Sequence, residues 1–276
     1  MDSAAAWKQF YADERERLGR DALLAMANDA APLRLRDGGA IVIPHTRIEV
    51  TGDQIASAVA TVLASGVERV LALGVLHGAR REDRQRVAAA RAGDAEACAE
   101  LRGVHREDGL ASEEFSLDGF LEMLTLATER VGRSVDVVRR YPFLVGDDPE
   151  SLPGIDELDR LVAGGALLVA TTDPIHHGHA YGTEPTACLD ADDPATLTTA
   201  RSAIDDQLAA LAAHRFGEFQ ALAELHRSDF RDTGPVTAQL VGSRFDPAVH
   251  DLALVDYADV LGAASPSWVA GALITA

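Results

Sequence analysis

The sequence predicts an α/β fold with a central, mixed and partly parallel sheet and helices on both faces. Three observations predict it. Short apolar runs rich in β-branched residues occur at Ile41-Val42-Ile43, Val70–Leu76 and Leu167–Ala170, the signature of strands buried on both faces. Segments with helical spacing separate them. Each run also leads into a histidine: His45 after Pro44, His77 after Leu76, and His176 after Thr171-Thr172-Asp173-Pro174-Ile175. Ligands of open α/β sheets sit beyond the carboxyl ends of the strands, so three histidines there point to one shared site.

Taken in order, residues 4–27 carry apolar positions at helical spacing (Trp7, Phe10, Tyr11, Leu18, Leu23, Leu24). Residues 40–44 form the first strand. Thr51-Gly52-Asp53 opens a helix that turns Ile55, Val59, Val62 and Leu63 inward and stops at Gly66. A second strand covers 68–76, and the strand–helix–strand unit implies parallel strands. Residues 78–112 are charged and Ala-rich, with helical patches over 82–102, and read as an insertion or lid near the strand ends. Ser116 caps a helix over 117–131, and strands follow at 135–138 and 141–145. A short helix covers 155–162, and the strand at 166–172 precedes the third histidine. Pro194 starts a helix to about 214, a second covers 216–227, and 235–241, 252–257 and 268–275 read as three closing strands. No internal repeat or linker divides the chain, which reads as one domain over 1–276.

The chain has 276 residues, of which 47% are hydrophobic and 5% aromatic, so a sizeable core must be mostly aliphatic. The net charge is −19. Such a surface repels phosphate backbones and anionic membranes, which argues against nucleic acid and membrane as partners. Cys98 and Cys188 form no CxxC pair, which excludes a zinc ribbon or thioredoxin motif and fits a reducing compartment. Residues 1–30 carry Asp13, Glu14, Glu16 and Asp21 without a long apolar core. They do not read as a signal peptide, so a cytoplasmic location is expected. No run approaches the ~20 apolar residues of a membrane span.

Imidazoles at strand ends can bind a divalent metal, and a carboxylate can join them. His45 or His77 alone is an ordinary hydrogen-bonded histidine. Two of them at the ends of adjacent parallel strands are placed to share an ion. Asp173-Pro174-Ile175-His176-His177-Gly178-His179 holds three imidazoles and a carboxylate within seven residues. There His176 reads as a general acid or base, Asp173 as the group that orients it, and His177 or His179 as lining a substrate pocket. Glu113 and Glu114 suit a helix N-terminus. Asp229 and Asp232 fall in a turn-like segment before a strand. His105, His214, His226 and His250 read as surface or packing residues.

With these residues placed, the chain resembles the Memo family, known in microbes as the B protein of the AmmeMemoRadiSam system and structurally related to class III extradiol dioxygenases. The resemblance covers about residues 40–276. Ile43-Pro44-His45 through Thr51-Gly52 looks like the family's "PHAGYxYSG", Leu73-Gly74-Val75-Leu76-His77 like "LGPSH", and Glu114-Phe115-Ser116-Leu117-Asp118 like "EHSLE". Thr171-Thr172-Asp173-Pro174-Ile175-His176-His177-Gly178 looks like "SSDxxHxG", and Asp232-Thr233-Gly234-Pro235-Val236 falls where "CGxxPI" is expected. Tyr257-Ala258-Asp259 and the strand at 268–274 fit the closing segment. Thr46, Arg47 and Ile48 depart from the first motif, Phe115 replaces a histidine, and the last motif lacks its cysteine.

The resemblance implies a single metal-binding domain. His45, His77 and Asp232 would hold one divalent metal, Fe(II) before copper or zinc, with Asp229 as the alternative carboxylate. His176 would be the acid/base, Asp173 would hold its tautomer, and Glu114, His177 and His179 would line the pocket. The implied activity is a non-haem iron oxygenase, an oxidoreductase using O2 on a catechol-like or amino-acid-derived small molecule, possible as a homo-oligomer. The alternatives are a zinc-dependent hydrolase and a non-catalytic metal- or peptide-binding protein.

Overall fold

A computed structural model describes residues 4–78 and 81–276. The elements in chain order are α1 (Ala4–Leu18), α2 (Arg20–Asp29), β1 (Ala40–Ile43), α3 (Ile48–Ser65), β2 (Arg69–Leu73), α4 (Arg81–Arg91), α5 (Ala95–Leu101), β3 (Gly103–His105), α6 (Asp118–Val131) and β4 (Asp136–Phe143). They continue with α7 (Ile155–Ala163), β5 (Leu167–Thr171), β6 (Ile175–Gly178), α8 (Pro194–Ala212), α9 (Phe216–Leu225), α10 (Phe230–Val241), β7 (Ala248–Asp256), α11 (Ala258–Leu261) and β8 (Ser267–Thr275). The eight strands form one mixed sheet in the order β3-β4-β2-β5-β1-β8-β6, with β7 paired to β8. β4, β2, β5 and β1 run parallel, and β3, β6, β7 and β8 pair antiparallel.

The expected α/β architecture is present, and its two faces can be read residue by residue. Successive strand side chains point to opposite faces. Ile41, Ile43, Val70, Ala72, Leu167 and Val169 enter one core with Leu23, Ile55, Val59, Val62, Phe120 and Leu124 from α2, α3 and α6. Ala40, Val42, Leu71, Leu73, Leu168 and Ala170 enter the other with Leu158, Ile204, Leu208, Phe219 and Val236 from α7–α10. Gly66 ends α3 in the left-handed conformation at φ 73°, as a helix C-terminus favours. Asp193 accepts the Ala195 N–H and Pro194 occupies the first turn of α8, a sequence-legible start. Among the described residues, no helix is long and apolar enough to cross a membrane.

Several expectations need correction. The segment 4–27 is two helices, broken at Gly19 with φ 79°. The two strands expected over 135–145 are one, β4. The stretch 78–112 holds α4, α5 and β3, with residues 79 and 80 outside the described residues. Ser116 caps no helix; its hydroxyl accepts the Val75 N–H at 2.9 Å and pins the turn after β2. The largest correction is 235–241, expected as a strand and found inside α10 with Pro235 in the helix. Proline removes one intrahelical hydrogen bond and leaves the carbonyl four residues earlier without a donor. That carbonyl, on Arg231, receives the Gln220 side-chain amide at 2.7 Å. The β-branched residues that suggested a strand are buried against β5 and β4; Thr233 donates to the Thr171 carbonyl at 3.0 Å.

Candidate metal centre

β2, β5 and β1 deliver their ends to one place. β5 lies between the other two, so the histidine-bearing strands are not neighbours as expected; the loop after β5 sits between them. His45 follows β1. Its backbone N–H donates to Asp173 Oδ1 at 3.2 Å and its Nδ1 lies 3.0 Å from Thr171 Oγ1. His77 follows β2 through Gly74, where any Cβ would come within 2.4 Å of the Tyr141 ring. The Glu114 carboxylate accepts the backbone N–H groups of His77 (2.7 Å) and Gly78 (2.9 Å), and its second oxygen faces His77 Nδ1 at 2.9 Å. Phe115 stacks on the His77 ring at 4.6 Å. His176 lies on β6 and its Nδ1 donates to the Arg227 carbonyl at 2.8 Å.

All three rings turn Nε2 toward one atom. Asp229 Oδ2 is 3.5 Å from His45 Nε2, 3.6 Å from His77 Nε2 and 3.5 Å from His176 Nε2. Ligand atoms within 4.8 Å of one another form two groups that share Asp229: His45 with His77, and Asp173 with His176. Two atoms bound to one ion at about 2.1 Å stand about 3.0–3.5 Å apart, so each of the three imidazole–Asp229 pairs has close to the spacing of two ligands on one ion. The outer partners of the three rings fit too. A ligating imidazole donates its other N–H to a carboxylate, carbonyl or hydroxyl that fixes its tautomer, and Glu114, the Arg227 carbonyl and Thr171 occupy those places.

The structure therefore places Asp229, not Asp232, with the histidines. Asp232 is buried one helical turn further into α10. It pairs with Arg91 of α4 and accepts the Leu144 N–H at 2.8 Å, with Arg91 lying 4.5 Å over Phe143. Asp173 does not hold the His176 tautomer, since the Arg227 carbonyl takes that proton; Asp173 grips the His45 backbone and lies 3.5 Å from His45 Nε2. Glu114 is buried behind His77 instead of lining a pocket. His177 points to the opposite side of β6 from His176, as alternation requires. It stacks on Trp268 at 4.7 Å and accepts the Leu189 N–H at 2.9 Å. His179 opens the short helical turn His179–Tyr181, and Tyr181 at its end is the residue that meets His176, edge to face at 5.1 Å.

A cavity of about 200 Å³ opens over the cluster, lined by His45, His77, His176, Asp173 and Asp229 and walled by Trp7, Tyr11, Phe115, Tyr181, Tyr257 and Val269. Three of the chain's four tyrosines meet there. The i, i+4 pair Trp7 and Tyr11 on a helix was a signal available in the sequence. Desolvation in the cavity opposes charge on Asp229, but His176, His45 and His77 around it hold its pKa well below the carboxylate range. Burial pushes Asp173 up, against the pull of His45 and His176. For His77, desolvation lowers the pKa, yet Glu114 and Asp229 outweigh it and raise the value to about 10.

That value sets a pH dependence. At neutral pH a metal must displace the His77 proton. In the metal-free protein, His77 has its pKa raised above 6.5, so its contribution to stability is full below about pH 6.5 and lost as pH rises through about 10. Metal binding runs the other way: for one displaced proton, apparent affinity rises about tenfold per pH unit across neutrality. Calorimetric titration with Zn(II) in buffers of different ionisation enthalpy counts the released protons; an affinity flat in pH contradicts His77 as a ligand.

No protein-family model matches this chain, and comparison with curated proteins finds no match.

Proposed function

We propose that the protein is a mononuclear non-haem Fe(II) oxygenase acting on a small phenolic or catechol-like molecule. One observation carries the reading: two imidazoles, His45 and His77, and one carboxylate, Asp229, bring their ligand atoms within 4.8 Å of one another, and a 2-His-1-carboxylate set suits non-haem ferrous oxygenases. The motif resemblance to Memo proteins and class III extradiol dioxygenases supports the same chemistry. Ferrous iron held by His45, His77 and Asp229 would leave coordination positions open for substrate and dioxygen and would relay electron density from the bound substrate, which is the group oxidised, to dioxygen.

The chain's own residues do the rest. His176 donates Nδ1–H to the Arg227 carbonyl, which leaves Nε2, facing the cavity, as the atom that accepts a substrate proton or returns it. Asp173 fixes the turn that carries His45. The aromatic walls exclude water and take a flat ring.

Anaerobic metal titration followed by an O2-uptake screen across catechols and amino-acid-derived phenols tests the proposal. The expected result is one iron per chain and substrate-dependent oxygen consumption. His45→Ala and His77→Ala are each expected to lose most bound metal while circular dichroism stays normal. Full metal stoichiometry in both variants contradicts the shared site. Zinc retained with oxygen-independent hydrolysis identifies a hydrolase using metal-bound water, and no metal with a stable peptide partner identifies a binding protein; either outcome displaces the oxygenase reading.

A further inference from the structure

The first helix lies outside the segment that carries the family resemblance, yet it forms a wall of the metal cavity. Trp7 and Tyr11, four residues apart and so on one face of α1, both line it. Glu14 anchors the helix by accepting the backbone N–H groups of Ile48 (3.1 Å) and Glu49 (3.3 Å) at the start of α3. Arg15 adds a 2.8 Å bond to Glu122 of α6. Tyr11 stacks on Phe115 at 5.4 Å, and Phe115 stacks in turn on His77, so the tyrosine is one ring removed from a candidate ligand.

The hydroxyl of Tyr11 lies 3.0 Å from that of Tyr257, which lies 2.6 Å from Thr46 Oγ1 and accepts the Arg47 N–H at 3.2 Å. A phenol oxygen has one proton to give and two lone pairs. With Arg47 taking one acceptor direction, Tyr257 gives its proton to one of Thr46 and Tyr11 and receives one from the other. If Tyr257 donates to Tyr11, the Tyr11 proton is free for the cavity. If Tyr257 donates to Thr46, Tyr11 donates to Tyr257 and offers lone pairs to the cavity. In both arrangements Tyr11 keeps hydrogen-bonding capacity that no other described residue uses. The pair can switch between donor and acceptor without moving a heavy atom, which matches a ligand hydroxyl that is bound in one protonation state and reacts in another.

The same walls constrain charge. The carboxylates Asp173 and Asp229 line the cavity, and among the described residues no lysine or arginine does. The metal's charge would be taken up by its ligands and the bound hydroxyl. An anionic substituent elsewhere in the cavity would then be desolvated with no cationic side chain to pair with among the described residues, which is unfavourable in a chain already at −19. We propose that Tyr11, backed by Tyr257 and Thr46, binds the hydroxyl of a small phenol that carries no negatively charged substituent. This inference rests on reading the cavity as the metal-dependent active site.

The test uses the full chain loaded with Zn(II), which is redox-inert, so the ligand binds without turnover. Nitrocatechol is the probe, because its absorption reports both binding and ionisation. The wild type is expected to bind it with a shifted spectrum. Tyr11→Phe is expected to keep its zinc and its circular dichroism and to bind about fivefold to tenfold more weakly, the worth of one hydrogen bond, with a different bound spectrum. Thr46→Val, acting through Tyr257, moves affinity in the same direction. Unsubstituted catechol is expected to displace the probe at concentrations at least about tenfold below those needed for protocatechuate, its carboxylated analogue. Unchanged probe affinity and spectrum in Tyr11→Phe, absence of probe binding, or equal displacement by protocatechuate overturns the inference. If zinc fails to load, the metal reading has failed, and the wild-type and Tyr11→Phe comparison repeated on metal-free protein still decides the role of Tyr11: equal binding overturns it.

Discussion

Asp229→Ala is expected to lower affinity for a divalent metal by about 100-fold or more, beyond the roughly 10–100-fold typical of losing an outer partner, while Asp232→Ala keeps the metal and loses stability. Asp229 Oδ2 stands 3.5–3.6 Å from three imidazole nitrogens, so its removal deletes the one carboxylate both ligand groups share. Asp232 does different work. Its substitution strips the acceptor from Arg91 and from the Leu144 N–H. Breaking one side of a buried pair costs about 3–5 kcal/mol. The Arg91 side chain keeps 22% of its exposure, which puts the cost near the lower end, about 3 kcal/mol. At roughly 2–4 °C per kcal/mol for a chain of this class, Tm falls by about 6–12 °C. Competition against a chromophoric chelator and thermal melts on both variants separate the two roles. Metal lost in Asp232→Ala and kept in Asp229→Ala would restore the assignment that the motif alignment suggested.

That pair of aspartates shows where the sequence stops being sufficient. As a loop before a strand, Ser228–Pro235 lets either carboxylate reach the histidines, and the motif match favours Asp232. Once the segment is a helix, position decides. Asp229 stands just before the first turn of α10, where the helix end meets the cavity, and Asp232 sits three residues in, packed against Arg91. The helix itself was hidden because Val236, Thr237 and Val241 have strand propensity and Pro235 argues against a helix interior. Burial of ten of its twelve residues and the Gln220 amide on the Arg231 carbonyl override both.

The sheet was legible for the opposite reason. Strands buried on both faces carry uninterrupted aliphatic runs, and those runs end where the site lies, so His45, His77 and His176 could be placed together without knowing strand order. The order itself, with β5 between β1 and β2, depends on pairings that no local pattern encodes. The spacing of Trp7 and Tyr11 marked an aromatic helix face, but that this face walls the cavity was illegible for the same reason. Tyr11 meets Tyr257 across 246 positions, and α1 reads locally as a polar, weakly amphipathic helix. The fate of His177 was legible in principle: on a strand, neighbours face opposite ways, so only one of His176 and His177 can join the site.

His176→Ala is expected to retain the metal and lose turnover by about 10²–10⁴-fold, the usual worth of a general acid or base, measured as kcat once the oxygen-uptake screen supplies a substrate. Retention follows from the donor count, because His45, His77 and Asp229 already provide three ligand atoms. The loss follows from geometry: the Arg227 carbonyl and the edge of Tyr181 fix the ring, so Nε2 has one direction, into the cavity, in which to exchange a proton. Replacement leaves the Arg227 carbonyl to water at a partly exposed position, so the fold is expected to survive and circular dichroism to stay unchanged. The second ligand group gives this prediction its sharpest contrast. An ion held by Asp173, His176 and Asp229 would leave with His176 and stay in His45→Ala, the reverse of the pattern expected here. Metal content of those two variants, measured side by side before any assay, decides which half of the shared Asp229 cluster holds the ion and whether His176 is free to move protons.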